Sequence, residues 1–169
     1  MTRVHVYCEE CHTYGPEHSH WPNGIHSAIY SGPPRERWKK QDRFYDKATG
    51  VQGNCLKAVI ASILDLPMAD VPEFGESKQW RKDLYEFLDQ YGFWLEERYK
   101  SADSELYVPK HMTMVCGPSS RGCQHIVIYK KGVLFHDPHP SGEGVLQVQE
   151  LWFLIPKDPA SAKSKVEAL

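Results

Sequence analysis

Residues 125–138 read His125-Ile126-Val127-Ile128-Tyr129-Lys130-Lys131-Gly132-Val133-Leu134-Phe135-His136-Asp137-Pro138, and this stretch decides what kind of sheet the chain can build. The β-branched and aromatic run up to Tyr129 gives way to Lys130-Lys131-Gly132, and a second apolar run follows at once. Gly132 accepts the left-handed backbone of a tight turn, so the two runs are expected to fold back as an antiparallel hairpin. His125 then opens one strand and Asp137 closes its partner, which would set the two side by side. An aspartate beside an imidazole fixes the tautomer and leaves the other ring nitrogen for a third group. Read in isolation, Asp137-Pro138 is equally an ordinary turn at a strand end.

Further strands are expected at residues 93–98, 112–115 and 151–155, each short and rich in apolar or aromatic residues. Upstream of Gly92 the apolar period is helical instead. Leu56, Val59, Ile60, Ile63 and Leu64 recur at helix spacing, with Ala58 and Ala61 permitting close packing, and Leu66-Pro67 ends the run. Asn54 stands where an N-cap is expected. A second helix is expected over residues 77–91, through Trp80, Leu84, Phe87 and Leu88. Helices followed by an antiparallel sheet make an α+β order.

Cys55 falls on the first turn of the stronger helix. A thiol attacks only as thiolate, and both a helix N-terminus and a nearby imidazolium favour that anion. The plain alternative is a small buried residue, the usual fate of a free cysteine. A helix-start cysteine, a histidine at a strand mouth and an aspartate across a hairpin together point to a Cys-His-Asp constellation: Cys55 the nucleophile, His125 the base, Asp137 its orienting partner.

The blocks Gly53-Asn54-Cys55 with its helix, Val71-Pro72-Glu73-Phe74, residues 117–129 from Gly117-Pro118-Ser119 onward, and His136-Asp137-Pro138-His139-Pro140-Ser141 resemble small papain-like cysteine peptidases of bacteria and phages. The order Cys, His, Asp is that of the superfamily, and the last block is similar to that of the bacteriocin-leader processing peptidases. The resemblance spans roughly residues 40–156 and leaves out residues 1–35. It implies a papain-like fold, with the cysteine helix packed on an antiparallel sheet bearing His and Asp. The activity implied is thiol hydrolysis of a peptide, isopeptide or other amide bond through a thioester, with no cofactor for catalysis. It also implies a glutamine donor for the oxyanion. Gln41, fourteen positions before Cys55, matches the segment in which the family carries that glutamine. Gln52, three positions before, would have to fold back sharply.

The front of the chain carries a different signal. Cys8 and Cys11 form a chelating pair, and His12, His18, His20 and His26 follow. Cys8, Cys11, His20 and His26 make a candidate structural zinc set, with His18 able to replace His20. Otherwise the segment is an arm with solvent-facing histidines. The chain is thus read as an irregular Cys/His-rich arm at 1–35, a catalytic domain at 36–156 and a flexible tail at 157–169.

The 169 residues suit one domain, and a net charge of −2 gives no global field for nucleic acid, the basic knot at residues 35–40 notwithstanding. No apolar run is long enough to span a bilayer, and the first residues, Met1–Tyr7, lack the long apolar stretch expected of a signal peptide. Five cysteines make an odd set without a disulfide framework. The expected setting is the reducing cytoplasm of a bacterium or a phage-infected cell, and the expected partner a protein or peptide substrate. A non-catalytic or inhibitory binding protein on the same scaffold, such as a phage-encoded binder of a host factor, is the competing class.

Overall fold

The computed structural model describes residues 37–101 and 106–158, together with strands β1 (Val6–Cys8) and β2 (Thr13–Gly15). The front segment had been expected to be irregular, yet β1 and β2 pair antiparallel, with Tyr7 opposite Tyr14. The short Val-Tyr and Thr-Tyr runs carry the β-propensity that a scan for longer periodic elements overlooks.

Helix α1 (Cys55–Ile63) is buried at every position from Ala58 to Ile63, so it forms the middle of the core. Its end follows from local chemistry. Asp65 adopts a left-handed conformation (φ 50°), the Leu66 N–H returns to the Ala61 carbonyl at 2.8 Å, and Pro67 prevents continuation. Its start departs from expectation. Asn54 precedes the helix but makes no side-chain cap; its Oδ1 accepts from the Arg43 N–H (3.1 Å) and its Nδ2 donates to Asp42 (2.6 Å). Asn54 therefore spends its side chain on fastening the upstream strap at residues 41–45 to the helix start.

Helix α2 (Trp80–Gln90) is amphipathic and buries Leu84, Phe87 and Leu88. It begins at Trp80 rather than Ser77, because Ser77 Oγ accepts from the Gln79 N–H (3.1 Å) in a turn that precedes the helix. Trp80 stacks on Trp152 of the sheet, ring centroids 6.1 Å apart.

The five remaining strands, β3 (Phe93–Tyr99), β4 (Thr113–Pro118), β5 (Gln124–Lys130), β6 (Val133–His136) and β7 (Glu150–Pro156), form one antiparallel sheet ordered β3-β7-β4-β5-β6. Among the described residues the architecture is α+β: two α-helices and two short 3-10 helices with this antiparallel sheet and the small β1–β2 pair. Ile126, Ile128, Met114 and Cys116 join the larger core with α1, while Val115, Val127 and Leu151 face the other way, beneath Val145 and Val148. The boundary drawn at 157 is soft, since the Lys157 N–H still bonds the Gly92 carbonyl at 2.9 Å.

The β5–β6 hairpin forms as expected, with Lys131 (φ 57°) and Gly132 (φ 76°) both left-handed, as a two-residue type I′ turn requires. Its register holds a feature that the run of residues did not disclose. Tyr129 pairs with Leu134, but Ile128 pairs with His136, so Phe135 is an extra residue in β6. One extra residue reverses the faces beyond it. Continued past His136, the alternation puts Asp137 beside Val127 and on the same face as His125. An unbulged hairpin would have turned it to the face of Ile126.

Candidate active site

Three separate segments meet at the mouth of β5. Cys55 is the first residue of α1, His125 the second of β5, and Asp137 follows β6 directly. His125 and Asp137 are almost fully buried, with 4% and 5% of their surface exposed, while Cys55 is partly open. His125 Nε2 lies 2.7 Å from Asp137 Oδ1. Cys55 lines the same cleft, and because Asp137 takes Nε2, Nδ1 is the ring nitrogen left for the thiol.

Asp137 is held on all sides. Its Oδ1 also accepts from the His139 N–H (2.8 Å) and its Oδ2 from the Gly144 N–H (2.8 Å). Burial alone would raise its carboxyl, but the His125 ring and these two amides outweigh burial and lower it to about 2. Burial likewise pushes the His125 imidazole down, and the Asp137 carboxylate and the Cys55 side chain reverse that, leaving it raised above 6.5. The ring is thus set up to hold a proton between an anion behind and a thiol in front.

The Gly144 donor depends on a close backbone approach. The loop at residues 145–149 crosses Gly117, where a Cβ would stand 1.9 Å from the Gln147 carbonyl oxygen. Only glycine lets that loop lie flat, with the Leu146 N–H on the Pro118 carbonyl (2.8 Å) and the Gln149 N–H on the Cys116 carbonyl (2.9 Å).

A cleft of about 350 Å³ opens over the pair, with Cys55, His125, Gln41 and Gln52 in its lining and the partly exposed rings of Phe44 and Tyr45 beside them. Gln41 is buried, its backbone N–H bonds the Pro138 carbonyl (3.0 Å), and its Nε2 donates to the Arg43 carbonyl (3.0 Å). That bond uses one of its two amide hydrogens and leaves the second available. Gln52 is exposed, and its Nε2 is 3.4 Å from the Gly50 carbonyl. Gly53 lets the strap press against the helix start, since a Cβ there would meet the Tyr45 nitrogen at 3.0 Å.

The basic knot also finds its role here. Lys40 Nζ donates to the Asp137 carbonyl (2.7 Å), His136 Nε2 bonds the Lys39 carbonyl (2.9 Å), and the Arg37 guanidinium lies over the Trp38 ring (4.6 Å). These contacts join the segment just before the strap to the end of β6. His139 lines the cleft as well, against Phe44. Arg121 and Cys123 line the cleft too. They fall inside the block at residues 117–129 that carries the resemblance, but nothing in that block assigned either of them a role.

Cys116 is buried, and burial, followed by Glu150, raises its thiol well above the ordinary range; Cys55, Cys116 and Cys123 are all free. The candidate zinc ligands Cys8, Cys11, His20 and His26 lie outside the residues whose side chains are described, and among the described residues no group of three or more His, Cys, Asp or Glu could hold a metal ion. No helix among the described residues is long and apolar enough to cross a membrane. Compared with known proteins, the chain matches no family model, no curated protein and no solved structure.

Proposed function

We propose that this chain is a papain-like thiol hydrolase acting on a peptide, isopeptide or other amide bond, with Cys55 as nucleophile, His125 as acid–base and Asp137 as its orienting residue. The observation that carries this reading is the position of His125: a buried imidazole bonded at 2.7 Å to a carboxylate and lining one cleft with a helix-start thiol. The Cys55 thiolate attacks the carbonyl carbon, forming the C–S bond and pushing the carbonyl electrons onto oxygen. Gln41 Nε2 and the Cys55 backbone N–H are the donors for that oxyanion. As the C–N bond breaks, His125 gives its proton to the leaving amine. Water, deprotonated by His125, then releases the acyl group as a carboxylic acid and restores the thiol. Acyl transfer to an amine, or side-chain deamidation, would use the same steps.

The chemistry requires no cofactor, and any zinc on Cys8 and Cys11 would be structural. Free thiols suit a reducing interior, the bacterial or phage-infected cytoplasm. The test is alkylation by iodoacetamide near neutral pH, read by peptide mass mapping. Cys55 is expected to react well ahead of Cys123, which shares the cleft but not the imidazole. Digestion of a mixed peptide library should yield new termini with the native chain and none with Cys55→Ala. Equal labelling of the two thiols and no new termini would instead favour a binding protein on this scaffold.

A further inference from the structure

The proposed chemistry leaves one wall of the cleft unused. Arg121 lines it, and none of the lining residues is an aspartate or glutamate. In a chain of net charge −2 that is a local reversal of sign: the Arg121 guanidinium and the His125 imidazole line the cleft with no carboxylate in its lining. Asp137 stands behind His125, outside the lining. His139 is no competitor for an anion's charge, because burial and then the Arg121 guanidinium keep its imidazole below 6.5. Its Nδ1 accepts from the Ser141 N–H (3.1 Å), so the neutral ring carries its hydrogen on Nε2.

Arg121 itself is half satisfied. Its Nη1 bonds Ser141 Oγ (3.2 Å) and lies 3.8 Å from Glu143, whose carboxylate is itself bonded by Ser120. Nη2 is buried and has no partner. A buried donor without an acceptor is costly, and a guanidinium fork is completed by two parallel bonds to one carboxylate. A small swing of this long side chain toward the cleft would exchange the orphaned donor for such a pair.

We propose that Arg121 is a specificity-determining residue that selects substrates carrying a carboxylate beside the scissile amide, either an Asp or Glu side chain or the free C-terminus of a peptide. The proposal rests on the thiol-hydrolase reading of the same cleft. Phe44 and Tyr45, 45% and 38% exposed, supply an apolar surface for the neighbouring part of such a substrate.

The test uses two alkylating probes of similar size on the full chain, anionic iodoacetate and neutral iodoacetamide, with the rate ratio at Cys55 referred to that of glutathione. The native ratio should exceed that of Arg121→Gln by about fivefold, the factor that one unit charge at about 4 Å is worth in water. Arg121→Lys should retain it, since the charge remains. A ratio unchanged in Arg121→Gln, with iodoacetamide still fast, overturns the proposal and leaves the thiol reading standing. Labelling of Cys55 no faster than Cys123 by either probe overturns both. Library cleavage then separates the sources: loss on C-terminal amidation identifies the free terminus, persistence beside Asp or Glu identifies the side chain, and equal cleavage of peptides lacking either overturns the proposal.

Discussion

His125 and Asp137 are twelve residues apart and 2.7 Å apart at Nε2 and Oδ1, and the contact exists because β6 carries Phe135 as an extra residue. The bulge changes which face of the sheet Asp137 reaches, and the amides of His139 and Gly144 then fix its carboxylate there. The pair is therefore a product of register as much as of residue type.

Asp137→Asn is expected to lower activity and to move the alkaline limb of the pH–rate profile to lower pH. The carboxylate is one of the two groups that hold the His125 imidazole above 6.5, so removing its charge lets the ring lose its proton earlier. An asparagine must also turn its NH₂ toward a backbone donor, either that of Gly144 or that of His139. A profile that keeps its alkaline limb in place would sever the two residues functionally.

The same pair should shape stability. Asp137 is lowered from 3.8 to about 2, so its contribution is fully present above pH 3.8 and is lost as pH falls toward 2; it amounts to roughly 2 kcal/mol. The His125 contribution has the opposite sense, being raised: it is present below 6.5 and lost as pH rises through its folded value. Urea unfolding should thus give a plateau between about pH 4 and pH 6.5 with both flanks falling, and Asp137→Asn should flatten the acid flank. An unaltered acid flank in the variant would place the titrating group elsewhere.

Gln41→Ala should reduce kcat by about 10²-fold or more, as loss of one oxyanion donor does, while iodoacetamide alkylation of Cys55 stays close to native. Alkylation at a saturated carbon develops no oxyanion, so the two readouts separate stabilisation of the intermediate from simple distortion of the cleft. Equal loss in both would make Gln41 a structural residue. Gln52→Ala, at an exposed position, should leave both rates little changed.

Gly117→Ala is expected to destabilise the fold by about 2 kcal/mol, the scale of a forced backbone shift in a packed region. The added methyl must displace the Gln147 carbonyl, which it would otherwise approach to 1.9 Å. Because the same stretch of loop brings Gly144 to Asp137, the His125 resonance should also titrate lower by NMR. A variant that melts normally would show that the loop has room to lift.

The sequence by itself determined the elements: a buried helix that begins at Cys55 and ends before Pro67, an amphipathic helix stopped at Gly92, and a hairpin whose turn needs Gly132. These are properties of neighbours along the chain, set by periodicity, proline's missing donor and glycine's backbone freedom. Cys55, His125 and Asp137 could be singled out for the same reason, since each sits at the start or just past the end of such an element, whereas Gln41 was named only through the resemblance. Only the tertiary structure decided the rest. The bulge at Phe135, the diversion of Asn54 from helix cap to strap fastener, the loop pressed on Gly117 and the arrival of Arg121 at the cleft all depend on contacts between residues far apart in sequence. A face reversed by one residue, or an amide bonded to a distant strap, leaves no periodic trace, because the competing partners are chosen when the segments pack and not before.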